Sequence, residues 1–312
     1  MRLGQQRILV IKLGALGDFV QALGPAKAIR RHHAAAHIVL LTTPPFAALA
    51  RATGYFDEVW LDRRSAWLAL PAWLALRRRL RAGRFERVYD LQTSRRTSWY
   101  FRLLGPGPRP EWSGIAPGAS HPHANGGRDR MHTIERQAEQ LRLAGIADVP
   151  PPDVEWAKAD IAKFALPEPF ALLVPGGAAH RPRKRWPAER YAALALALLA
   201  RGVTPVLLGA REERALAASI VADAPGAIDL TGRTDLEELA SLARHARLAI
   251  GNDTGPMHLI ATAGCPSLVL FSAASDPDLC APRGAEVRVL RRARLDTLRL
   301  EEVLAALPGG GG

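Results

Sequence analysis

The sequence predicts an α/β protein built from two doubly wound halves. Three observations carry that prediction. From Arg7 to Leu104 short apolar runs alternate with amphipathic stretches of helical period. The same alternation restarts at Phe170 and runs to Leu307, and a proline-dense stretch, Val149–Pro169, lies between the two. Repeated strand-then-helix winding implies parallel sheets covered on both faces, and a segment of that composition marks a boundary. The expected domains are 1–155 and 156–312, and 312 residues suffice for two domains of about 150 residues each.

Taken in order, the first half reads as strand Arg7–Lys12, helix Phe19–His33, strand His37–Leu41, helix Pro45–Thr53 and strand Glu58–Leu61. Helix Ala66–Ala82, strand Arg87–Leu91 and helix Arg95–Leu104 follow, with Arg109–Ile115 as a further strand candidate, Pro117–Gly127 as a loop and His132–Ala144 as a helix. The second half reads as Phe170–Val174 (strand), Ala188–Ala200 (helix), Val203–Leu208 (strand), Glu212–Asp223 (helix), Ala227–Leu230 (strand) and Asp235–His245 (helix). Then come strand Ala246–Ile250, a helix from Pro256 to Gly264, strand Ser267–Phe271, strand Glu286–Leu290 and helix Asp296–Leu307, with Gly309–Gly312 as a frayed tail. Pro256 suits a first helical turn, where a missing N–H costs nothing, and Gly264 suits the position just past a helix end.

Composition narrows the classes. Hydrophobic residues at 48% with 23% charged indicate a globular chain, not a disordered one. Cys265 and Cys280 build no disulfide framework and sit in no metal-ligand spacing. No signal-peptide h-region and no apolar run of about 18 residues occurs, so the chain is expected to be cytoplasmic. A net charge of +12 favours anionic partners, with arginine spread over a solvated surface as the plain alternative. Arginine clusters at Arg77–Arg81 and Arg181–Arg185. The first cluster follows Trp67, Pro71 and Trp73, which read either as a membrane-facing element or as core.

Several turns carry candidate chemistry. Strand Ala246–Ile250 runs into Gly251-Asn252-Asp253-Thr254-Gly255 and a helix, which aims backbone N–H groups at whatever lies above the sheet and suits a phosphate; Asp253 and Thr254 serve equally as helix caps. Pro175-Gly176-Gly177, with Lys184 ahead of the next helix, suits a diphosphate through turn N–H groups and a point charge. The first turn, Lys12-Leu13-Gly14-Ala15-Leu16-Gly17-Asp18, is not the Gly-x-Gly-x-x-Gly of a dinucleotide site, and no Walker A motif occurs, which disfavours nicotinamide and P-loop enzymes. Asp18 also reads as the N-cap of Phe19–His33. Arg95 and Arg96 begin a helix, where they bind an anionic group or are ordinary surface arginines. Asp276-Pro277-Asp278 has the Asp-x-Asp form of a cation site but sits in a loop after the last core strand, so no metal is expected.

Asp253-Thr254-Gly255-Pro256-Met257-His258-Leu259, with Asp276-Pro277 beyond it, resembles the nucleotide-sugar site of glycosyltransferase family 9, the heptosyltransferases of the lipopolysaccharide inner core. The first turn with Lys12 and Asp18, the segment Tyr89–Arg96, Met131–Arg136, Pro175-Gly176-Gly177 with Lys184-Arg185-Trp186-Pro187, and Gly209–Glu213 are similar to further segments of that family, in the same order. The family's proline falls one residue before Pro25, a shift that leaves Asp18 in register. The resemblance implies two Rossmann-like domains in the GT-B arrangement with an interdomain cleft. It implies Asp18 as catalytic base and Lys12, Arg95 and Arg96 facing an acceptor. For the donor it implies Gly176, Gly177, Lys184, Asp253, Thr254, Gly255 and His258, a ribose-binding glutamate for which Glu212 is the nearer fit with Glu213 left open, and Thr234 beside the base. The implied reaction is inverting transfer from a nucleotide-diphospho-sugar, ADP-linked, to an anionic glycolipid reached at the cytoplasmic face of the inner membrane, with no cofactor, metal or nucleic acid. A non-catalytic binder of anionic lipid or nucleic acid on the same fold, or a sugar-nucleotide-modifying enzyme, are the alternatives.

Overall fold

Ile8-Leu9-Val10-Ile11 is apolar on both faces of a strand and fully buried, as parallel strands covered by helices on either side must be. It forms the middle of strand β1 (Arg7–Ile11) in a computed structural model that describes residues 5–66, 68–105, 107–177 and 184–308. Contacts divide the chain into two units, Met1–Trp156 and Ala157–Gly312. Trp67, the basic loop Ala178–Arg183 and the tail Gly309–Gly312 lie outside the described residues.

In the first unit β1 is followed by α1 (Leu16–Gln21), α2 (Leu23–His32), β2 (His37–Thr42), α3 (Ala47–Ala52), β3 (Glu58–Leu61) and α4 (Leu70–Ala82). Then come β4 (Arg87–Asp90), α5 (Arg95–Leu103), β5 (Glu111–Gly114), β6 (His121–Pro122) and α6 (Thr133–Leu143). The sheet order is β3-β2-β1-β4-β5-β6 and every pair is parallel. Two helices depart from expectation. The single helix Phe19–His33 is replaced by α1 and α2, which meet at Ala22 (φ −84°, ψ −2°), because Pro25 has no N–H to continue the ladder across the join. The stretch Ala66–Ala82 becomes helical only at Leu70, where Pro71 occupies the first turn. Gly24 is required by packing: a Cβ there would lie 2.2 Å from the Pro150 carbonyl oxygen, so only glycine lets Pro150–Pro152 lie against α2.

The second unit repeats the plan. It runs β7 (Phe170–Val174), α7 (Ala188–Leu199), β8 (Thr204–Leu207), α8 (Arg214–Asp223), β9 (Ile228–Asp229), α9 (Leu236–His245), β10 (Leu248–Asn252) and α10 (Gly255–Thr262). It closes with β11 (Ser267–Phe271), α11 (Pro277–Cys280), β12 (Val287–Arg291) and α12 (Leu300–Ala305). Its order, β12-β11-β10-β7-β8-β9, is the first sheet's order read from the other edge. The core sets Leu173, Leu207, Ile250, Leu268 and Leu270 against Trp186, Tyr191, Leu194 and Leu198. Each such side chain contributes about 1.5–3 kcal/mol on leaving water. In each sheet the strand order reverses at one place, between β1 and β4 and between β7 and β10. Ligands of open α/β sheets bind beyond the carboxyl ends of the strands at that reversal.

Candidate functional site

At the first reversal a polar cavity of about 220 Å³ is lined by Lys12, Asp18, Gln92, Thr93, Arg128, Asp129 and Arg136. Lys12 follows β1 directly and is buried, donating from Nζ to the Leu91 carbonyl at 3.2 Å. Burial pushes its ammonium down to about 8; the charge of Asp18 opposes that, Arg136 adds to it, and Asp90 opposes it. Asp90, the last residue of β4, is pushed up to about 6 by burial, against hydrogen bonds from Thr97 and the Thr93 and Gln92 N–H groups and the charge of Lys12. Gln92 ties the two strand ends together by accepting from the Leu13 N–H at 2.8 Å.

Asp18 is not the N-cap. That position is Ala15, and Asp18 stands three residues into the first turn, its Oδ2 accepting from the Ala15 N–H at 3.2 Å. The helix starts earlier than expected, and the carboxylate reaches back from inside it. Two more cavities lie nearby, the first sharing Gln92 with this one and the second sharing Leu13 and Arg64 with the first. One of about 470 Å³ is lined by Leu13, Arg64, Ser65, Ala66, Gln92, Ser94 and Arg96, and one of about 560 Å³ by Leu13, Thr43, Phe46, Asp62, Arg63 and Arg64 among others. A larger cavity, about 830 Å³, lies at the amino ends of β4 and β5, where Arg81, Arg84 and Arg109 share the lining with Glu86 and Glu111. It is remote from the reversal, so size is no guide to the site here.

The two helix-start arginines separate. Arg96 donates from Nε to Tyr100 Oη at 2.7 Å and from both Nη atoms to the Ser65 carbonyl at 3.1 Å, pairs with Asp62 at 3.6 Å and lies over the Trp73 ring. It is thereby fixed between α4 and α5 and positions the cavity wall. Arg95 is exposed at the first position of α5. Sequence reading missed Arg63, Arg64, Arg128 and Arg136 as lining residues. Only Arg136 had a usable signal, since it ends the segment Met131–Arg136 already matched to the family.

At the second reversal the organising residue is Asn252, fully buried at the end of β10. Its Nδ2 donates to the carbonyls of Pro175 at 2.8 Å and Gly176 at 3.0 Å. Its Oδ1 accepts from the Trp186 N–H at 3.0 Å and Tyr191 Oη at 3.2 Å. One amide thus joins the turn after β7, the entry to α7 and the start of the Asp253–Gly255 turn. Asp253 Oδ2 takes Lys184 Nζ at 2.5 Å and Ser275 Oγ at 2.5 Å. Asp253 therefore orients the lysine, and its own N–H is taken by the Leu270 carbonyl at 3.0 Å.

The glycine turn also needs correction. The Gly177 N–H is occupied, donating to Glu213 Oε1 at 2.7 Å, while Glu213 Oε2 takes the Ala210 N–H at 2.8 Å. A Cβ on Gly176 would meet that carboxylate at 1.9 Å, so the glycine is there to admit Glu213. Glu212 is exposed. Thr254 is the N-cap of α10 yet makes no side-chain cap bond, and its buried Oγ1 has no hydrogen-bond partner among the described residues. Gly255 at the first helical position adds an N–H that no helical carbonyl satisfies. His258 is buried in the same helix, and Thr234, partly buried, precedes the α9 N-cap Asp235. Asp276 caps α11 through the Asp278 N–H and pairs with Arg291. Among the described residues no group of three or more His, Cys, Asp or Glu stands where it could hold a metal ion.

Two parallel sheets of one strand order, each with buried charge gathered at its reversal, define a protein of two Rossmann-like units, the GT-B fold class. The chain belongs to glycosyltransferase family 9 (heptosyltransferase), whose model matches residues 73–303. It is 32% identical over 120 residues to lipopolysaccharide heptosyltransferase 2 of Salmonella typhimurium, a match that takes in 37% of this chain and 34% of that relative's length. Its fold resembles the glycosyl transferase family 9 structure from Veillonella parvula, with a TM-score of 0.82 and 22% identity over 98% of this chain and 97% of that one. It also resembles E. coli heptosyltransferase WaaC with ADP, with a TM-score of 0.75 and 21% identity over 96% and 98% of the two chains.

Proposed function

We propose that the chain is an inverting glycosyltransferase moving a sugar, heptose from ADP-heptose by kinship, onto a lipopolysaccharide core or related glycolipid. The observation that carries this reading is Lys184, held by Asp253, whose carboxylate Ser275 holds in turn, beside the start of α10 at the β7/β10 reversal. A fixed ammonium, an unsatisfied first-turn N–H and the unpartnered Thr254 hydroxyl suit a nucleotide diphosphate. The second unit is then the donor unit, with Gly176 and Gly177 shaping its turn and Thr254, Gly255 and His258 beside the diphosphate. Thr234 lies toward the base. Glu212 is the glutamate available to a ribose, because both oxygens of Glu213 already accept backbone N–H groups.

The first unit takes the acceptor. Asp18 accepts the proton of the acceptor hydroxyl as its oxygen bonds to the anomeric carbon and the bond to the diphosphate breaks. Lys12, Arg64, Arg95, Arg128 and Arg136 supply the charge that an anionic glycolipid needs. Lys184 and the start of α10 offset the negative charge gathering on the leaving diphosphate. The reading needs no cofactor or nucleic acid, and it sets the enzyme on the cytoplasmic side, working at the inner-membrane surface.

Thermal shift with ADP, GDP, UDP and dTDP tests the donor. ADP should raise the melting temperature most, and Lys184→Ala should weaken its binding by about 1.5–3 kcal/mol, the size of a charged hydrogen bond. A chain that responds to none of the four, or a variant that binds ADP as tightly as the parent, would overturn the assignment.

A further inference from the structure

Three strongly exposed leucines of the first unit follow one another around the start of α4, apart from Leu143 on α6. Leu68 is 93% exposed, Leu70 69% and Leu74 52%, and Trp99 is 41% exposed on the neighbouring helix. On α4 the exposed residues Pro71, Leu74, Ala75, Arg78 and Arg81 recur every three to four positions and form one outward stripe. Its inner side, Trp73, Leu76 and Leu80, packs on the core. On α5 the exposed residues are Arg95, Trp99 and Arg102, with the Arg102 guanidinium over the Trp99 ring at 5.1 Å. The helices adjoin: the Trp73 and Tyr100 rings are 6.0 Å apart, and Arg77 donates to the Leu103 carbonyl at 3.0 Å.

Charge sorts the same way. From Arg63 to Arg84 the chain has seven arginines and no Asp or Glu; from Leu91 to Pro110 it has four arginines and again no acid, in a protein with 30 acidic residues. Some of these arginines serve the fold. Arg77 and Arg96 hold backbone carbonyls, and Arg79 covers Trp60. Arg78, Arg81, Arg95 and Arg102 are on the exposed side.

We infer that this α4–α5 face docks on an anionic phospholipid bilayer, Leu68, Leu70, Leu74 and Trp99 entering the headgroup boundary and Arg78, Arg81, Arg95 and Arg102 meeting lipid phosphates. An exposed helix surface that carries leucines and arginines together, with a tryptophan beside it, suits the headgroup boundary, where the apolar side chains leave water and the guanidiniums meet phosphates. A nucleic acid would use the arginines but leave three leucines in water. α5 begins at Arg95, beside the cavity lined by Gln92, Ser94 and Arg64, so a bilayer on this face presents a lipid-borne acceptor there. That last link rests on the proposed function; the docking does not.

Sedimentation of the full chain with vesicles tests it. Phosphatidylglycerol/phosphatidylethanolamine vesicles at low salt should bind the protein, pure phosphatidylcholine should not, and about 0.5 M salt should release much of it by screening. The pair Leu70→Asp with Leu74→Asp should lower partitioning more than tenfold, and Arg78→Glu with Arg102→Glu by at least fivefold per arginine on anionic vesicles, given the usual worth of a basic residue at such a surface. Leu196→Asp, at an exposed leucine of α7, should bind as the parent does. Melting temperature and the ADP shift, read on the same samples, keep docking separate from fold and donor binding. No binding of the parent to anionic vesicles at low salt, or equal binding by both α4–α5 variants, would overturn the inference. So would retention by duplex DNA that is indifferent to the leucine pair while vesicle binding fails.

Discussion

Truncating Asn252 to alanine should remove the amide that joins four groups. The Pro175 and Gly176 carbonyls lose a shared donor, and the Trp186 N–H and Tyr191 hydroxyl lose a shared acceptor. Tyr191 Oη retains the Val174 carbonyl at 3.4 Å, so three groups are left with nothing comparable. At about 1–3 kcal/mol for each buried group left unsatisfied, and allowing for partial relaxation, the loss should be about 3–5 kcal/mol. That is a large part of the roughly 5–15 kcal/mol typical of a domain. Asn252→Asp is the sharper variant. It keeps the shape and the acceptor oxygen but turns a carboxylate toward two carbonyls in a dry site, which raises its folded pKa above the unfolded value. The penalty is complete above the folded pKa and fades as pH falls through it toward the unfolded value, because there the folded form binds the extra proton. Denaturant unfolding of parent and both variants at neutral pH and near pH 5 reads this directly. Calorimetry with ADP should show weaker binding as well, since Trp186 enters α7 two residues after Lys184. A loss below about 1 kcal/mol for the alanine variant, or an aspartate variant as stable as the parent at neutral pH, would refute the view that one amide organises this turn.

Two further outcomes bear on the first unit. Asp18→Asn keeps an acceptor for the Ala15 N–H, so its melting temperature should move by no more than about 2 °C while turnover on the acceptor falls about 10²–10⁴-fold with ADP affinity kept; parent-like turnover would leave Asp18 as a helix-start residue only. Lys12→Met should be more stable than the parent at neutral pH by up to about 3 kcal/mol, the linkage cost of holding an ammonium at about 8 against 10.5, less about 1 kcal/mol for the bond to Leu91. Between pH 8 and 10.5 the parent's unfolded state binds more protons, so parent stability rises and the gap should close there; a gap constant across that range would refute the buried-charge account.

The strands were legible because burial on both faces leaves apolar runs that little else in a sequence imitates. Phe170–Val174 and Ser267–Phe271, buried at every position, have the same bounds by sequence and by structure; so does the half-exposed edge strand Glu58–Leu61, which was legible from its Val-Trp-Leu run and not from burial. Helix starts were less legible where proline or a backbone join intervened, at Leu70 and Ala22. The polar turns at the strand ends could be located, because their glycines and lysines follow apolar runs directly. Their internal assignments could not. Arg95 and Arg96, or Glu212 and Glu213, are adjacent in sequence, yet successive helical residues point about 100° apart, and which one turns inward depends on elements far along the chain. Asn252 is the extreme case: its partners lie 61 to 77 residues away, and an asparagine after a strand reads as an ordinary turn residue.

Each unit sets its central lysine near carboxylate charge, though only Lys184 forms an ion pair; Lys12 donates to the Leu91 carbonyl. Lys12 is buried within the influence of Asp18 and Asp90, and Lys184, nearly buried, pairs with Asp253. A lysine near the end of a sheet in a dry setting needs a carboxylate, since isolated burial would cost several kcal/mol. In the second unit Asp253 fixes the ammonium of Lys184 in advance, so less side-chain freedom would be lost on binding an anion. It also means that the site lysines add little to the field of the protein. The excess of +12 therefore has to reside elsewhere, and the acid-free stretches Arg63–Arg84 and Leu91–Pro110 account for eleven arginines of it. Exposed charge of that kind is screened within about 10 Å at ordinary ionic strength, whereas a buried pair is screened much less. Salt therefore should separate the two: it acts on the arginines of α4 and α5 and should largely spare the Lys184–Asp253 pair and the diphosphate contact proposed for it.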